Sequence, residues 1–459
     1  ACGDGTGPGT DPPPDTTPTD PTAFLDDVQT RTFDFFWETT NPANGLTPDR
    51  WPDVPFSSIA AVGFALTAYP IGVERSWVGR AEAAERTRRT LRFFRDAPQG
   101  PAPDGVTGYR GFFYHFLNME TGLRTGTTEL STIDTALLMA GVLAAQEYFD
   151  GEDAVETEIR EMADSVYRRV EWDWAVARPP LVALAWKPDS GFSQYDWRGY
   201  NEAMILYVLA LGSPTHPIDA AAWDEWTRTY NWASYYGQLH VNFAPLFGHQ
   251  YSHVWIDFRG IRDAYMAGHG IDYFENSRRA TLAQRSYAMD NPGGWLGYGE
   301  DRWGLTASDG PGSFTAVLDG RQREFRGYWA RGAAATTVRD DGTLAPTAAA
   351  AAIAFTPALS IEALRAMVRT YGTHLYGQYG FRDAFNPTIR ESAPVGDGTI
   401  VPGVGWFDED YLGIDQGPIL AMMENHRSEL VWELMRENPY IVSGLCRAGF
   451  TGGWLEGRC

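Results

Sequence analysis

Four short stretches of the chain set carboxylates beside apolar runs. They are TTELSTIDTALLMAG with Glu129 and Asp134, YDWRGYNEAMI with Asp196 and Glu202, YGFRDAFNP with Asp383, and GWFDEDYLGIDQGPILAMM with Asp408, Asp410 and Asp415. Two carboxyls facing each other across a cleft, one holding a proton and one without, can give and take protons on a substrate. Each stretch also has a purely structural use. Ser131 and Asp134 stand three apart and can form a capping-box-like pair. Asp415 precedes Pro418 in the first turn of a helix, where a cap is equally at home. Asp383 has no obvious helix to cap, although an Asx turn could hold it. Glu202 follows Asn201, itself a good cap, so a second capping group is less needed, and Glu202 is the favoured catalyst. That choice carries a tension. The positive end of a helix dipole lowers a carboxyl pKa, whereas a general acid at neutral pH needs a raised one. Desolvation by Trp197 and Tyr200, or a neighbouring carboxylate, must outweigh the dipole.

GHQYSHVWIDFRG offers a rival chemistry. His249, His253 and Asp257 are spaced i, i+4, i+8 and would share one helix face, as metal ligands can. Gln250 stands where the HExxH pattern needs Glu, and no third His is close in sequence. The favoured reading therefore has no metal: these side chains and Arg259 bond one another or a ligand.

The elements that must position these groups are helices. Apolar periodicity marks Phe24 to Glu38, Ser57 to Tyr69, Trp77 to Asp96, Ser131 to Phe149, Ala154 to Trp172, Glu202 to Leu211, Ile271 to Met289, Ser360 to Tyr371 and Gly417 to Glu437. Shorter helices are expected in Trp223 to Tyr236 and Phe247 to Ala267. They are of two kinds. WVGRAEAAERTRRTLRFFRD has one apolar stripe and one charged face, as on an outer layer. SSIAAVGFALTAY, TALLMAGVLAAQ and AMILYVLALG are apolar nearly all round and must lie inside. Outer and inner helices in alternation predict an all-α fold, an α/α barrel of two concentric rings, with the carboxylates gathered on the rim where inner helices begin. Segment 293–345, rich in Gly and Trp with strand-like pieces, is expected as a long rim insertion.

Composition narrows the ligand. The 459 residues carry a net charge of -22, which argues against nucleic acid or an anionic membrane surface as partner. The 17 Trp and 22 Tyr exceed what a core needs, and rings with an apolar face and polar edge suit sugars. The first 22 residues, with six Pro and no aromatic, read as a tether, leaving residues 23–459 as one domain. Cys2, after a small Ala and before Gly3, matches the remnant of a lipoprotein signal, so an acylated, exported bacterial protein in the periplasm or on the cell surface is expected, touching membrane only through that lipid. Cys446 and Cys459 are then left as a pair that an oxidising compartment would permit.

Several long stretches together, among them SGFSQYDWRGYNEAMILYVLALGSPTHP, FGHQYSHVWIDFRGIRDAYM, WGLTASDGP, YGFRDAFNP and YLGIDQGPILAMMENHRS, resemble the bacterial glucoamylase-like domain family, which includes the endo-β-1,2-glucanases of glycoside hydrolase family 144. The resemblance runs from about Phe24 to the C-terminus. It implies an (α/α)6 barrel, a β-1,2-glucan substrate and no cofactor. It further implies Glu202 as general acid and Asp383 as general base, with Asp134 and Asp415 as alternatives for the base. For holding the sugar, the aromatic candidates are Trp197, Tyr200, Tyr251, Trp303, Trp329 and Trp406. The polar ones are Glu129, Arg198, His249, His253, Arg259, Asp309 and Arg331. A retaining transglycosylase on the same scaffold, or a barrel that binds glycan without cutting it, are the alternative functions.

Overall fold

The most apolar segments are the ones the fold hides. In a computed structural model that describes residues 20–459, Ile59–Glu74 and Met204–Gly212 are buried along nearly their whole length, as is Thr132–Tyr148. Cys2 and most of the tether lie outside the described residues. The fifteen helices among the described residues are α1 (Pro21–Thr39), α2 (Ile59–Glu74), α3 (Arg80–Asp96), α4 (Thr132–Tyr148), α5 (Ala154–Arg168), α6 (Met204–Gly212), α7 (Ala221–Thr227), α8 (Tyr251–Trp255), α9 (Ala264–His269), α10 (Tyr273–Asp290), α11 (Pro346–Ala350), α12 (Pro357–Tyr371), α13 (Gly413–Arg427), α14 (Leu430–Glu437) and α15 (Pro439–Arg447). The inner helices touch in a closed circuit: α2 on α4, α4 on α6, α6 on α8, α8 on α13 and α13 back on α2. Around them lie α1, packed on α2 and α13, and α3 and α5, packed on each other and on α2 and α4 respectively. Helices in two layers are the expected architecture. Glycine permits the tightest crossing: a Cβ on Gly141 would lie 2.0 Å from the Gly63 carbonyl oxygen, so α2 and α4 meet backbone to backbone.

Two-residue strands stitch the rim just where inner helices start. Ser57–Ser58, ahead of α2, pairs with Phe116–Leu117, and Leu130–Ser131, ahead of α4, pairs with Ala185–Lys187. Tyr411–Leu412, ahead of α13, pairs with Arg50–Trp51. These pairings bring the loops around residues 49, 115, 129 and 410 to one face. Within 293–345, Ala307–Ser308 pairs with Trp329–Ala330, and Phe314–Leu318 forms a hairpin with Arg321–Phe325.

Several boundaries differ from expectation. The first helix begins at Pro21, inside the presumed tether, because Asp20 caps it through the Ala23 N–H. The helix expected through Tyr236 stops at Thr227; Trp232–Tyr235 turns back on Gln238–Val241 through Tyr236 and Gly237, both at positive φ. Gly417 to Glu437 is two helices, broken where Glu429 adopts φ 63°. At the C-terminus a disulfide joins Cys446 to Cys459, with Cα atoms 5.4 Å apart. No helix among the described residues is long and apolar enough to cross a membrane.

Candidate active site

Glu202 is not a cap. Helix α6 begins at Met204, and the groups at its mouth are held by others: Asn201 Oδ1 accepts the Ala203 N–H (3.0 Å), and Ser252 Oγ, from α8, accepts the Ile205 N–H (3.0 Å) while donating to the Glu202 carbonyl (3.1 Å). Neither of these capping bonds uses the Glu202 carboxyl. Burial pushes its pKa up to about 7 and the charge of Asp134 adds to that, while its own peptide N–H works in the opposite sense. Desolvation wins over the local dipole, which resolves the tension read in the sequence.

Asp134 sits in the first turn of α4. Ser131 accepts its N–H at 3.2 Å and returns its hydroxyl proton to Asp134 Oδ2, the expected reciprocal pair. His115 Nε2 lies 3.5 Å from that same oxygen, and its Nδ1 is 2.9 Å from Glu129 Oε1. Burial alone would neutralise this imidazole, but Asp134, Glu129 and Asp49 together raise it to about 9. Hydrogen bonding to His115 lowers Glu129 to about 2. Beside Glu129 opens a cavity of about 500 Å³ lined by Trp186, Lys187, Phe192 and Gln194.

The second half of the site is more crowded with acid. Asp383 Oδ2 accepts the Asp309 peptide N–H (2.6 Å), and the Asp383 N–H donates to the Asp410 carbonyl (3.0 Å). Its other oxygen has no protein donor. Asp415, in the first turn of α13, is raised to about 7 by burial, and Asp383 is raised further by burial and by Asp415. The charge of Asp415 disfavours that of Asp383, so the two titrate as an interacting pair. Arg50 anchors the neighbourhood: its Nη1 is 2.8 Å from Asp309 Oδ2 and 3.2 Å from Asp410 Oδ2, and its Nε is 3.3 Å from Asp49 Oδ2. Asp309, Asp408 and Asp410 offer oxygens within 4.8 Å of one another, and the Arg50 guanidinium supplies the cation that two of them face. Tyr251 feels both halves: burial first, then Asp415, Tyr328, Asp383 and Glu202, drive its phenol well above the usual range. Buried carboxyls raised to about 7 at Glu202 and Asp415 can hold or release a proton near neutrality, as acid–base chemistry needs.

The family model described as "Glycoamylase: Putative glucoamylase" matches residues 194–439, more than half of the chain. The chain belongs to the glycoamylase family. It is 30% identical over 456 residues to the exo β-1,2-glucooligosaccharide sophorohydrolase (non-reducing end) of Parabacteroides distasonis, a match covering 92% of this chain and 57% of that protein. It thus spans little more than half the length of that relative. The endo-β-1,2-glucanase of Chitinophaga pinensis, solved with sophorotriose and glucose, superposes with a TM-score of 0.81 at 28% identity, covering 95% of this chain and all of the other. A β-1,2-glucanase structure from P. distasonis gives 0.80 at 30% identity over 94% of this chain and 60% of its own.

Not every residue singled out in this glycoamylase chain reaches the cleft. Asp309, Tyr251 and Glu129 stand with the carboxylates, and Trp329 is part-exposed. Trp197 donates its indole N–H to Thr132 Oγ1 at 2.9 Å, and Arg198 pairs with Glu225. Others are held inside the protein: Trp303, Trp406, Arg331 and His249 are fully buried, and His253 and Tyr200 nearly so. Trp406 gives its N–H to the Asp397 carbonyl, and Tyr200 stacks among Tyr230, Tyr273 and His249. Arg259 is held by Asp257 and Glu429 above the Trp432 ring. His115, Asp49 and Arg50 were not legible: single residues in or beside loops, they acquire meaning only when strand pairing brings them together.

The metal alternative fails on geometry. Helix α8 covers only Tyr251–Trp255, so His249 and Asp257 lie beyond its two ends and the three side chains do not share a face. His249 Nε2 faces the Phe243 carbonyl, His253 Nε2 faces Ser277 Oγ, and Asp257 is tied to Arg259 and Arg436. Prolonged chelation is therefore expected to leave turnover unchanged. Activity lost to a chelator and restored by zinc would contradict this.

Proposed function

We propose that this protein is a glycoside hydrolase that cleaves β-1,2-glucan within the chain and with inversion, on an (α/α)6 toroid whose rim carries segment 293–345 as an insertion. Glu202 protonates the leaving oxygen, and Asp383 in its ionised form deprotonates the attacking water. The observation that carries the reading is a set of buried carboxyls whose pKa values burial raises, Glu202 and Asp415 to about 7 and Asp383 upward with the charge of Asp415 added. The β-1,2-glucan-directed names of the P. distasonis and C. pinensis proteins support the linkage. The cavity at Trp186 and Phe192, beyond Glu129, supports endo action because it leaves room for further sugar units past the acid. The disulfide supports export to an oxidising compartment, in keeping with one domain tethered at its N-terminus.

Incubating the protein with linear β-1,2-glucan and following products by chromatography and anomer-resolved NMR tests this. A ladder of oligosaccharides with inverted anomers is the expected result. Release of the disaccharide alone would replace endo with exo action, as in the sophorohydrolase, and retained anomers or longer products would favour the transglycosylase.

The same assignment fixes the pH profile. The acid works only while Glu202 keeps its proton, so kcat/KM falls as pH rises through about 7. The base works only once the Asp383–Asp415 pair has lost one proton, and burial holds Asp415 at about 7, so the rate falls again toward acid. A narrow bell centred near neutrality is expected from initial rates between pH 5 and 9, and a flat profile would contradict both roles.

A further inference from the structure

One imidazole stands where two inner helices begin. His115 precedes the strand Phe116–Leu117, and its main chain is bonded on both sides: its N–H donates to the Glu129 carbonyl (2.9 Å), and its carbonyl accepts the N–H of Ile59, the first residue of α2 (3.2 Å). The ring lies against Phe116, with centroids 3.8 Å apart and planes 19° from parallel. Main chain and ring are thus both fixed. Each ring nitrogen then meets a carboxylate, Nδ1 the Oε1 of Glu129 at 2.9 Å and Nε2 the Oδ2 of Asp134 at 3.5 Å. A neutral imidazole has a single N–H, so two such acceptors call for the doubly protonated ring.

No other cation takes this place. Among the described residues neither Glu129 nor Asp134 has an arginine or lysine within ion-pair distance, and Lys187, which lines the cavity beside Glu129, acts on it from farther off. Asp49 also faces the imidazole but is itself paired with Arg50. What the ring holds is the acid half of the site. On Asp134 both bonds, from His115 and from the Ser131 hydroxyl, fall on Oδ2, so Oδ1 is the oxygen left for a ligand. The same turn of α4 is tied to the approach to Glu202: Thr132 Oγ1 accepts the Trp197 indole N–H (2.9 Å), and Tyr207, one turn into α6, donates to the Trp197 carbonyl (2.8 Å).

We infer that His115 is a positioning residue of the acid half, its imidazole clamping Asp134 at the mouth of α4 and Glu129 at the edge of the cavity, so that Asp134 keeps one oxygen toward the sugar whose leaving oxygen Glu202 protonates. The inference rests on the glycan-cleaving reading above. His115 touches no substrate and acts through the two carboxylates.

Two measurements on the intact protein test it. The first needs no substrate: histidine ring signals are followed by NMR between pH 5 and 9, with that of His115 assigned by its absence from His115→Gln. A ring clamped between two carboxylates is expected to stay protonated through about pH 8, whereas a free one titrates near about 6.5, and a midpoint below about 7 would overturn the inference. The second is kinetic, with rates against pH on sophoro-oligosaccharides and melting temperatures for wild type, His115→Gln, Asp134→Asn and the double variant. His115→Gln is expected to lower kcat/KM by about 10- to 100-fold, the effect of losing a hydrogen bond to a charged group. Its alkaline limb should also move to higher pH, because the charge of Asp134 then acts on Glu202 without a compensating cation. The two changes combined should cost less than the product of the separate losses, since one residue works through the other. A His115→Gln enzyme within twofold of wild type, a loss of rate with an unmoved limb, or losses that multiply independently would each overturn the inference. Should His115→Gln not fold, Glu129→Gln removes one of the clamped charges and must lower both the midpoint of the ring and kcat/KM; an unchanged rate there overturns the role. Any of these results in a wild type that cleaves β-1,2-glucan sinks this inference alone. A wild type that cleaves no glycan overturns the function and this role together.

Discussion

Glu202→Gln is expected to lower turnover of β-1,2-glucan by about 10² to 10⁴, the usual contribution of a positioned general acid, while the melting temperature stays the same or rises. The substitution keeps the shape of the side chain and the carbonyl bond from Ser252. What it removes is the transferable proton, together with a carboxyl whose charged form is disfavoured by burial and by Asp134. A group held in an unfavourable electrostatic setting costs stability, so relieving it should not unfold the protein. Oligosaccharide affinity, measured by calorimetry, should persist, because the amide still offers hydrogen bonds to the sugar. An activated substrate that needs no protonation of its leaving group should lose far less than the natural glucan. Near-normal turnover of glucan by a correctly folded Glu202→Gln protein would remove Glu202 from the mechanism.

How far the site could be read in advance follows from what kind of signal each residue leaves. Helices α2, α4 and α6 announce themselves because being apolar on every side is a property of the segment alone, and the start of each marks the rim. Glu202 was visible because a carboxylate ahead of such a run is costly. His115 was not: it lies in an aromatic-rich stretch with no periodicity, and its role depends on a two-residue pairing of Phe116–Leu117 with Ser57–Ser58 that carries no sequence signature. Arg50 is silent for the same reason. The opposite case, at Trp303, Trp406 and Arg331, is residue type read without burial. An indole or a guanidinium suits a sugar, but here each is spent on the core or on backbone carbonyls. His249 and His253 misled through an assumed helix that in fact spans five residues. Periodicity reports where the backbone goes; which side chains face the cleft is settled by pairings distant in sequence.

Asp383→Asn is expected to remove most of the activity, by about 10² to 10⁴. The amide oxygen can still accept the Asp309 N–H, so the loop should hold its course. What disappears is one of two interacting carboxyls, and the consequence falls on Asp415. Without the lowering influence of the Asp383 carboxyl but still buried, Asp415 becomes a separate group with a single titration of its own. If Asp383 is the base, no carboxylate is left in line with the water, and activity is lost at every pH. If Asp415 is the base, the variant keeps turnover, with its acid limb shifted because the Asp383 carboxyl no longer acts on Asp415. Rate against pH for Asp383→Asn and Asp415→Asn, side by side with their melting temperatures, separates the cases. Burial and the charges of Asp415 and Asp309 disfavour an ionised Asp383, so deleting its charge should relieve repulsion, and stability is expected to be unchanged or higher in Asp383→Asn. Full activity in Asp383→Asn with loss in Asp415→Asn would move the base to α13 and leave Glu202 and the family assignment standing.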